Sequence, residues 1–320
     1  MVKKSRPKMV VLGGGTGMPV LLRGLKQFPI DLATIVTVAD DGGSTGRLRK
    51  EIEMPAPGDI RNVITALANV DQELMTLFQH RFKVDNGLSG HSLGNIVLAA
   101  MNSITGDFYE TVEKVSNMLN VTGKIYPISN KSITLHAEMD DGTIVSGESN
   151  IPVKNKKIER VFLTPNDIKP KKEVVDAIVE ADVIVISPGS LYTSILPNLI
   201  IEDVIDALNR TKATVVYVCN IMTQHGETDH YSASEHVKAI NDHIGTNTID
   251  TIIVHNEMIS DEVLKTYAKQ HSEPVRVDVE RLLQLNVEIV VENIIDESRP
   301  VIRHNKEKIA KILYDIAMEK

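Results

Sequence analysis

The sequence contains a single cysteine, Cys219, and no tryptophan. A lone thiol excludes a disulfide within the chain and a thiolate metal cluster, and it fits a reducing compartment. Five Phe and seven Tyr are the whole aromatic stock, so aliphatic side chains must supply most of the core. No apolar run approaches the ~20 residues that a membrane-spanning helix needs, and no membrane insertion is expected. Positive charge is not in surplus. The formal net charge is -8, whereas a surface that tracks nucleic-acid phosphates needs a basic excess. The basic start, residues 1–8, runs straight into a short strand and glycines, which is not a signal peptide. A cytoplasmic protein is expected. The ten histidines show no metal-ligand spacing, and without a G-x-S-x-G elbow acyl hydrolysis is not expected.

What is present is an α/β rhythm. Apolar residues make up 42% and charged residues 24% of 320, enough to bury a sizeable core. Residues 8–12 and 33–39 read as buried strands, with a helix over 18–28 between them. Residues 182–186 and 213–218 are further β-branched runs, and 251–254 and 275–279 are expected as later strands. Continuous rather than alternating apolar strands, linked by helices, are the product of a parallel sheet covered on both faces. Between about 121 and 164 the texture changes. Short alternating segments, 132–139 and 143–148, flank Asp140-Asp141-Gly142, a hairpin signal. The expected architecture is one Rossmann-like, doubly wound α/β domain over 1–320, with helices on both faces and a small β-rich insertion at about 121–164. Helices over 232–243 and 305–318 follow from the apolar period.

The chemistry-bearing residues gather at the ends of these strands. Gly13-Gly14-Gly15-Thr16-Gly17 joins the first strand to the first helix. Glycines let the backbone approach a phosphate, and a helix N-terminus adds unpaired N–H groups; tight packing is the other reading. Neither a Walker loop nor G-x-G-x-x-G is satisfied, because Met18 stands where Lys or the third Gly is needed. After the second strand comes Asp40-Asp41-Gly42-Gly43-Ser44-Thr45-Gly46-Arg47. Here the carboxylates could grip a divalent cation and Ser44 could donate to a phosphate; a solvated turn is the alternative. Asp59, after Pro57-Gly58, is either a helix N-cap or a partner of Asp40 in metal binding. His91 is a conceivable general base. Asn95 follows Gly94, whose place in a helical first turn implies either a ligand or a packed helix. Ser187-Pro188-Gly189-Ser190 and Asn220-Ile221-Met222-Thr223-Gln224 end two later strands in the manner of anion sites. Thr16, Ser44 and Ser190 are expected to share one pocket. Cys219, beside a buried strand, reads as inert.

Taken in order, these motifs resemble the bacterial gluconeogenesis-factor family of the CofD-like superfamily. The matching stretches are Gly13 to Gly17, Val38 to Ser44, Pro57 to Asn62, Gly90 to Asn95, Ser187 to Tyr192 and Cys219 to Gln224. The resemblance implies a CofD-like fold and a UDP-sugar ligand, chiefly UDP-N-acetylglucosamine. It implies roles in growth on gluconeogenic carbon, in cell shape and in peptidoglycan precursor supply, with glucosamine-6-phosphate synthase as a partner. It carries ligand contacts to Tyr267 and Arg303, which read otherwise as a helix-face residue and a solvated charge. The superfamily's enzymatic branch implies an alternative: a transferase that uses Mg²⁺ on Asp40 or Asp41 with Asp59, for instance on UTP and a sugar phosphate. The expected ligand set is therefore Gly14, Gly15, Thr16, Gly17, Asp40, Ser44, Asn95, Gly189, Ser190, Asn220, Tyr267 and Arg303. The catalytic candidates are Asp40, Asp41, Asp59 and His91. Mg²⁺ is optional rather than obligatory, and a homodimer is plausible.

Overall fold

Runs of Val, Ile and Leu with no polar alternation can sit only where both faces are covered, and here they form the centre of the molecule. The computed structural model describes residues 6–83, 87–296 and 302–319; the basic residues 1–5 lie outside them. The main sheet is built from β1 (Lys8–Gly13), β2 (Asp31–Val36), β3 (Lys124–Pro127), β7 (Val183–Ile186), β8 (Thr214–Val218), β9 (Thr251–Val254) and β10 (Glu288–Val291). Its order is β10-β9-β8-β7-β1-β2-β3 and every pairing is parallel. The chain leaves β1 in one direction, through β2 and β3, and later returns to build the other half from β7 outward. That reversal opens a crevice at the carboxyl ends of β1 and β7, where ligands bind in doubly wound sheets. The registers Gly13 with Val36 and Leu12 with Ile186 hold the tips of the three central strands level.

The β-rich insertion is smaller than expected, because β3 joins the edge of the main sheet. What stands apart is a three-stranded antiparallel sheet of β4 (Thr134–Met139), β5 (Ile144–Ser146) and β6 (Ile158–Thr164), with β4 in the middle. It is tied to the end of β2 by Arg49, whose guanidinium donates to the carbonyls of Ala39 (3.0 Å) and Asp40 (2.9 Å) and to Ser132 Oγ (2.9 Å). A second tie runs from Ser149 N–H to Asp41 Oδ1 at 2.9 Å.

Three expectations are corrected. Residues 275–279 are not a ladder strand; their backbone bonds go singly, Val275 N–H to Ile221 O and Ala233 N–H to Arg276 O. Instead β10 closes the sheet, an edge strand whose partly exposed side chains give little apolar signal. Asp59 is not an N-cap, since its helix α3 (Gly58–Leu67) begins one residue earlier. Before α3 come α1 (Gly17–Leu25) and α2 (Gly43–Ile52), so Ser44 and Thr45 lie in the first turn of a helix rather than in a loop. The helix Lys306–Met318 forms as expected, with Asn305 Oδ1 accepting from Lys308 N–H. It packs on α1 so closely that a Cβ on Gly24 would stand 2.2 Å from the Lys306 carbonyl oxygen. Among the described residues no helix is long and apolar enough to cross a membrane.

Candidate functional site

At the switch point glycines shape the backbone. Gly15 takes φ +66, the left-handed region open to glycine, and turns the chain into α1. Thr16 stands at the N-cap without a side-chain cap bond, so the first-turn N–H groups of α1 keep no partner from it. Gly17 lets the tip of β7 come close: a Cβ there would lie 2.2 Å from the Pro188 carbonyl oxygen. The result is an open cleft of about 280 Å³. One side is Thr16 and Gly17, another is Gly189, Ser190, Asn220 and Gln224, and the far wall is Tyr267, Arg303 and His304. Asn220 is spent within the protein, its Oδ1 accepting from Gly189 N–H (3.1 Å) and its Nδ2 donating to Gly189 O (2.7 Å). It shapes the wall and leaves the Gly189 amide no free donor.

The far wall is held by its own small core of Ile221, Ile295 and Ile302, against which Tyr267 packs. His304 reaches back to the end of β8, with Nε2 3.1 Å from the Cys219 carbonyl oxygen. Burial, then the charges of His255 and Arg303, pushes His304 down to about 4. A neutral ring must therefore donate from Nε2, because a carbonyl only accepts. Cys219 is buried and its thiol is pushed up by burial to about 12, which makes it inert as read.

Beside the cleft lies a group of carboxylates. Asp59, 8% exposed, accepts from Gly15 N–H at 2.7 Å, which places it against the glycine loop. Burial pushes it up to about 6. Asp40 Oδ1 accepts from Gly42 N–H at 2.8 Å. Glu148, from the turn after β5, is raised well above the usual carboxylate range by burial and then by Asp59 and Asp40. Its Oε2 is buried without a hydrogen-bond partner. Facing carboxylates with an orphaned oxygen fit a cation that also takes oxygens from a bound phosphate. They do not make a cage: among the described residues no three metal-ligating side chains stand together as a ready set.

Ser44 belongs to neither group. Its Oγ lies 2.9 Å from His91 Nδ1 and accepts from Asn95 Nδ2 at 3.2 Å, all three residues being buried. Gly94 is explained by packing, since a Cβ there would lie 2.7 Å from the Phe78 ring.

The family described as 2-phospho-L-lactate transferase CofD matches residues 9–295. A gluconeogenesis factor of Halalkalibacterium halodurans is 56% identical over 97% of this chain and 96% of its own length. The corresponding factor of Bacillus subtilis is 52% identical over 98% of this chain and 99% of its own. The chain belongs to the CofD-like family of gluconeogenesis factors. A crystal structure of a Bacillus halodurans protein superposes on this CofD-like chain with a TM-score of 0.95 at 56% identity, covering 96% of this chain and 99% of that one.

In this gluconeogenesis-factor fold the cleft unites Thr16, Gly17, Gly189, Ser190, Asn220, Tyr267 and Arg303 from the expected ligand set. Gly14, Gly15, Asp40, Asp41 and Asp59 form the adjoining acidic side. Ser44, His91 and Asn95 stand beyond it, so Thr16 and Ser190 share a pocket that Ser44 does not line. Sequence reasoning missed Glu148, Gln224 and Glu227 as individuals. Glu227 is 5% exposed and accepts from Tyr192 N–H (3.2 Å), Thr193 Oγ1 (2.9 Å) and Gln224 Nε2 (2.8 Å). Dense polarity after β8 was the only signal for it.

Burial pushes Glu227 up to about 7 from an ordinary 4.5, against the pull of its hydrogen bonds. Between these values the folded state holds a proton that the unfolded state has lost, so stability falls as pH rises through the window. The full shift corresponds to roughly 3 kcal/mol. Denaturant midpoints measured from pH 4.5 to 8 are expected to fall more in the wild-type protein than in Glu227→Gln, because Asp59, Glu148 and His304 titrate in both and cancel in the comparison. An equal slope in both proteins would assign the fall elsewhere.

Proposed function

We propose that this protein binds a UDP-sugar, UDP-N-acetylglucosamine first among them, with the diphosphate at the start of α1 and Tyr267 and Arg303 on the nucleotide or sugar. The observation that carries this is the cleft itself: a helix N-terminus with unpaired N–H groups faces an aromatic ring and a guanidinium across the switch point of a doubly wound sheet. An Arg forks onto a diphosphate, and a Tyr ring packs against a base or sugar. Support for a regulatory role comes from the relatives, which are gluconeogenesis factors. In this reading the protein works in the cytoplasm during growth on gluconeogenic carbon. It reports nucleotide-sugar level to a partner such as glucosamine-6-phosphate synthase, with consequences for peptidoglycan supply and cell shape. Calorimetric titration with UDP-N-acetylglucosamine is expected to show saturable binding. No heat at millimolar ligand rejects the reading.

A second reading is favoured by one observation, the placing of Asp40, Asp59 and Glu148 beside the glycine loop. In a CofD-type transferase, Asp40 and Asp59 would hold Mg²⁺, which when bound supplies charge to phosphate oxygens. The chain's own part is to hold Gly15 N–H on Asp59 and to keep Asp40 and Glu148 close to Asp59. This reading predicts Mg²⁺-dependent turnover of UTP with a sugar phosphate, lost in Asp40→Asn. Unchanged turnover in that variant would remove Asp40 from the role.

A further inference from the structure

We infer that Glu227 sets the hydrogen-bonding polarity of the cleft wall, leaving Ser190 an acceptor toward the ligand and making it select a hydroxyl or N–H donor rather than a phosphate oxygen. The inference rests on the nucleotide reading above and sharpens it. Above about pH 7 Glu227 is ionised, and an ionised carboxylate accepts and never donates. Three donors converge on Glu227: Tyr192 N–H, Thr193 Oγ1 and Gln224 Nε2. Gln224 must therefore turn its NH₂ toward Glu227, and its Oε1 then faces Ser190, whose Oγ lies 2.7 Å away. A serine hydroxyl has one proton, and Ser190 gives it to Gln224. What it offers the cleft is lone pairs. This reverses the role the sequence assigns to Ser190, that of a phosphate donor, and leaves the phosphates to the start of α1.

Glu227 touches no ligand in this arrangement; it is a positioning residue two hydrogen bonds from the cleft. Its removal as a charge has a defined effect. In Glu227→Gln the new amide can donate to Gln224 Oε1, Gln224 can turn over, and the Ser190 proton becomes free for the ligand. Gln224→Met frees the same proton without changing Glu227, and fills a similar volume.

The test is run above the Glu227 titration, at about pH 8.5, with the full chain and UDP-N-acetylglucosamine, together with derivatives in which one hydroxyl at a time is replaced by fluorine. Fluorine keeps the size and loses the proton. The wild-type protein is expected to bind one of these derivatives about 10-fold or more weakly than the parent, the loss expected when a buried hydrogen bond is unmade. Glu227→Gln and Gln224→Met are each expected to shrink that ratio to within about twofold, a change no loss of folding alone would produce. Ser190→Ala is expected to lose it too, and adding Glu227→Gln to Ser190→Ala should change nothing further. Parent binding with no discriminating derivative overturns the inference and leaves the cleft assignment standing. Persistence of the discrimination in both Glu227→Gln and Gln224→Met also overturns it. Failure of every probe to bind overturns both.

Discussion

Replacing Gly17 with alanine is expected to abolish UDP-N-acetylglucosamine binding while leaving a folded but weakened protein. The added Cβ would stand 2.2 Å from the Pro188 carbonyl oxygen and 2.8 Å from its carbon. Both are backbone atoms, and neither can rotate away as a side chain would. The tips of β1 and β7 must separate. Overpacking of this kind costs ~1–3 kcal/mol, and the upper end applies where backbone meets backbone. The effect on binding is larger, because the phosphate seat and the Ser190 wall are positioned by that same seam. A misplacement of about 1 Å can cost on the order of 100-fold. Thermal melting should show the first effect and calorimetry the second. Wild-type affinity in Gly17→Ala would mean that the ligand sits elsewhere.

The second large effect is expected from Arg303→Ala. Arg303 is exposed at the cleft wall, so its removal leaves the melting temperature nearly unchanged. Among the described residues, its guanidinium is the charged side chain lining the cleft beside the helix N-terminus. A charge-assisted bond to a diphosphate contributes ~1.5–3 kcal/mol, which predicts a loss of roughly 10- to 150-fold in affinity. Arg303→Lys should fall between, because an ammonium keeps the charge and loses the fork. Wild-type affinity should also weaken with salt more steeply than that of the alanine variant. Affinities within twofold of each other would take Arg303 out of the site.

The centre of the fold is legible in the sequence because buried parallel strands carry their own signature. The Val-Ile-Val-Ile run of β7 can be nothing else in a chain of this size, and β1, β2, β8 and β9 read the same way. The edges are not legible. β3 spans four residues and β10 is half exposed, so neither has an apolar run to betray it, while residues 275–279 have one and form no ladder. The same contrast holds in the site. The glycine turn and the polar strand ends are local features, and periodicity places them. Glu148 meets Asp40 and Asp41 only because the antiparallel sheet folds back across the end of β2. Glu227 acquires its role through Thr193 and Tyr192, 34 and 35 residues away in sequence. Contacts of that range leave no trace in spacing. Asp59 shows a local expectation overtaken by a distant contact: it accepts from Gly15 N–H at the glycine loop and does not cap its own helix.

α1 has two jobs at opposite ends. Its first turn faces the cleft, and its Gly24 seats the helix Lys306–Met318, whose entry strand carries Arg303. A ligand that favours this seating must, by reciprocity, be favoured by it. A ligand that binds only while the helix is seated adds, at a hundredfold excess over its dissociation constant, about 2.7 kcal/mol to that seating. On the proposed reading, hydrogen exchange along that helix is expected to slow as the cleft fills, and an unchanged rate would uncouple the two ends of α1.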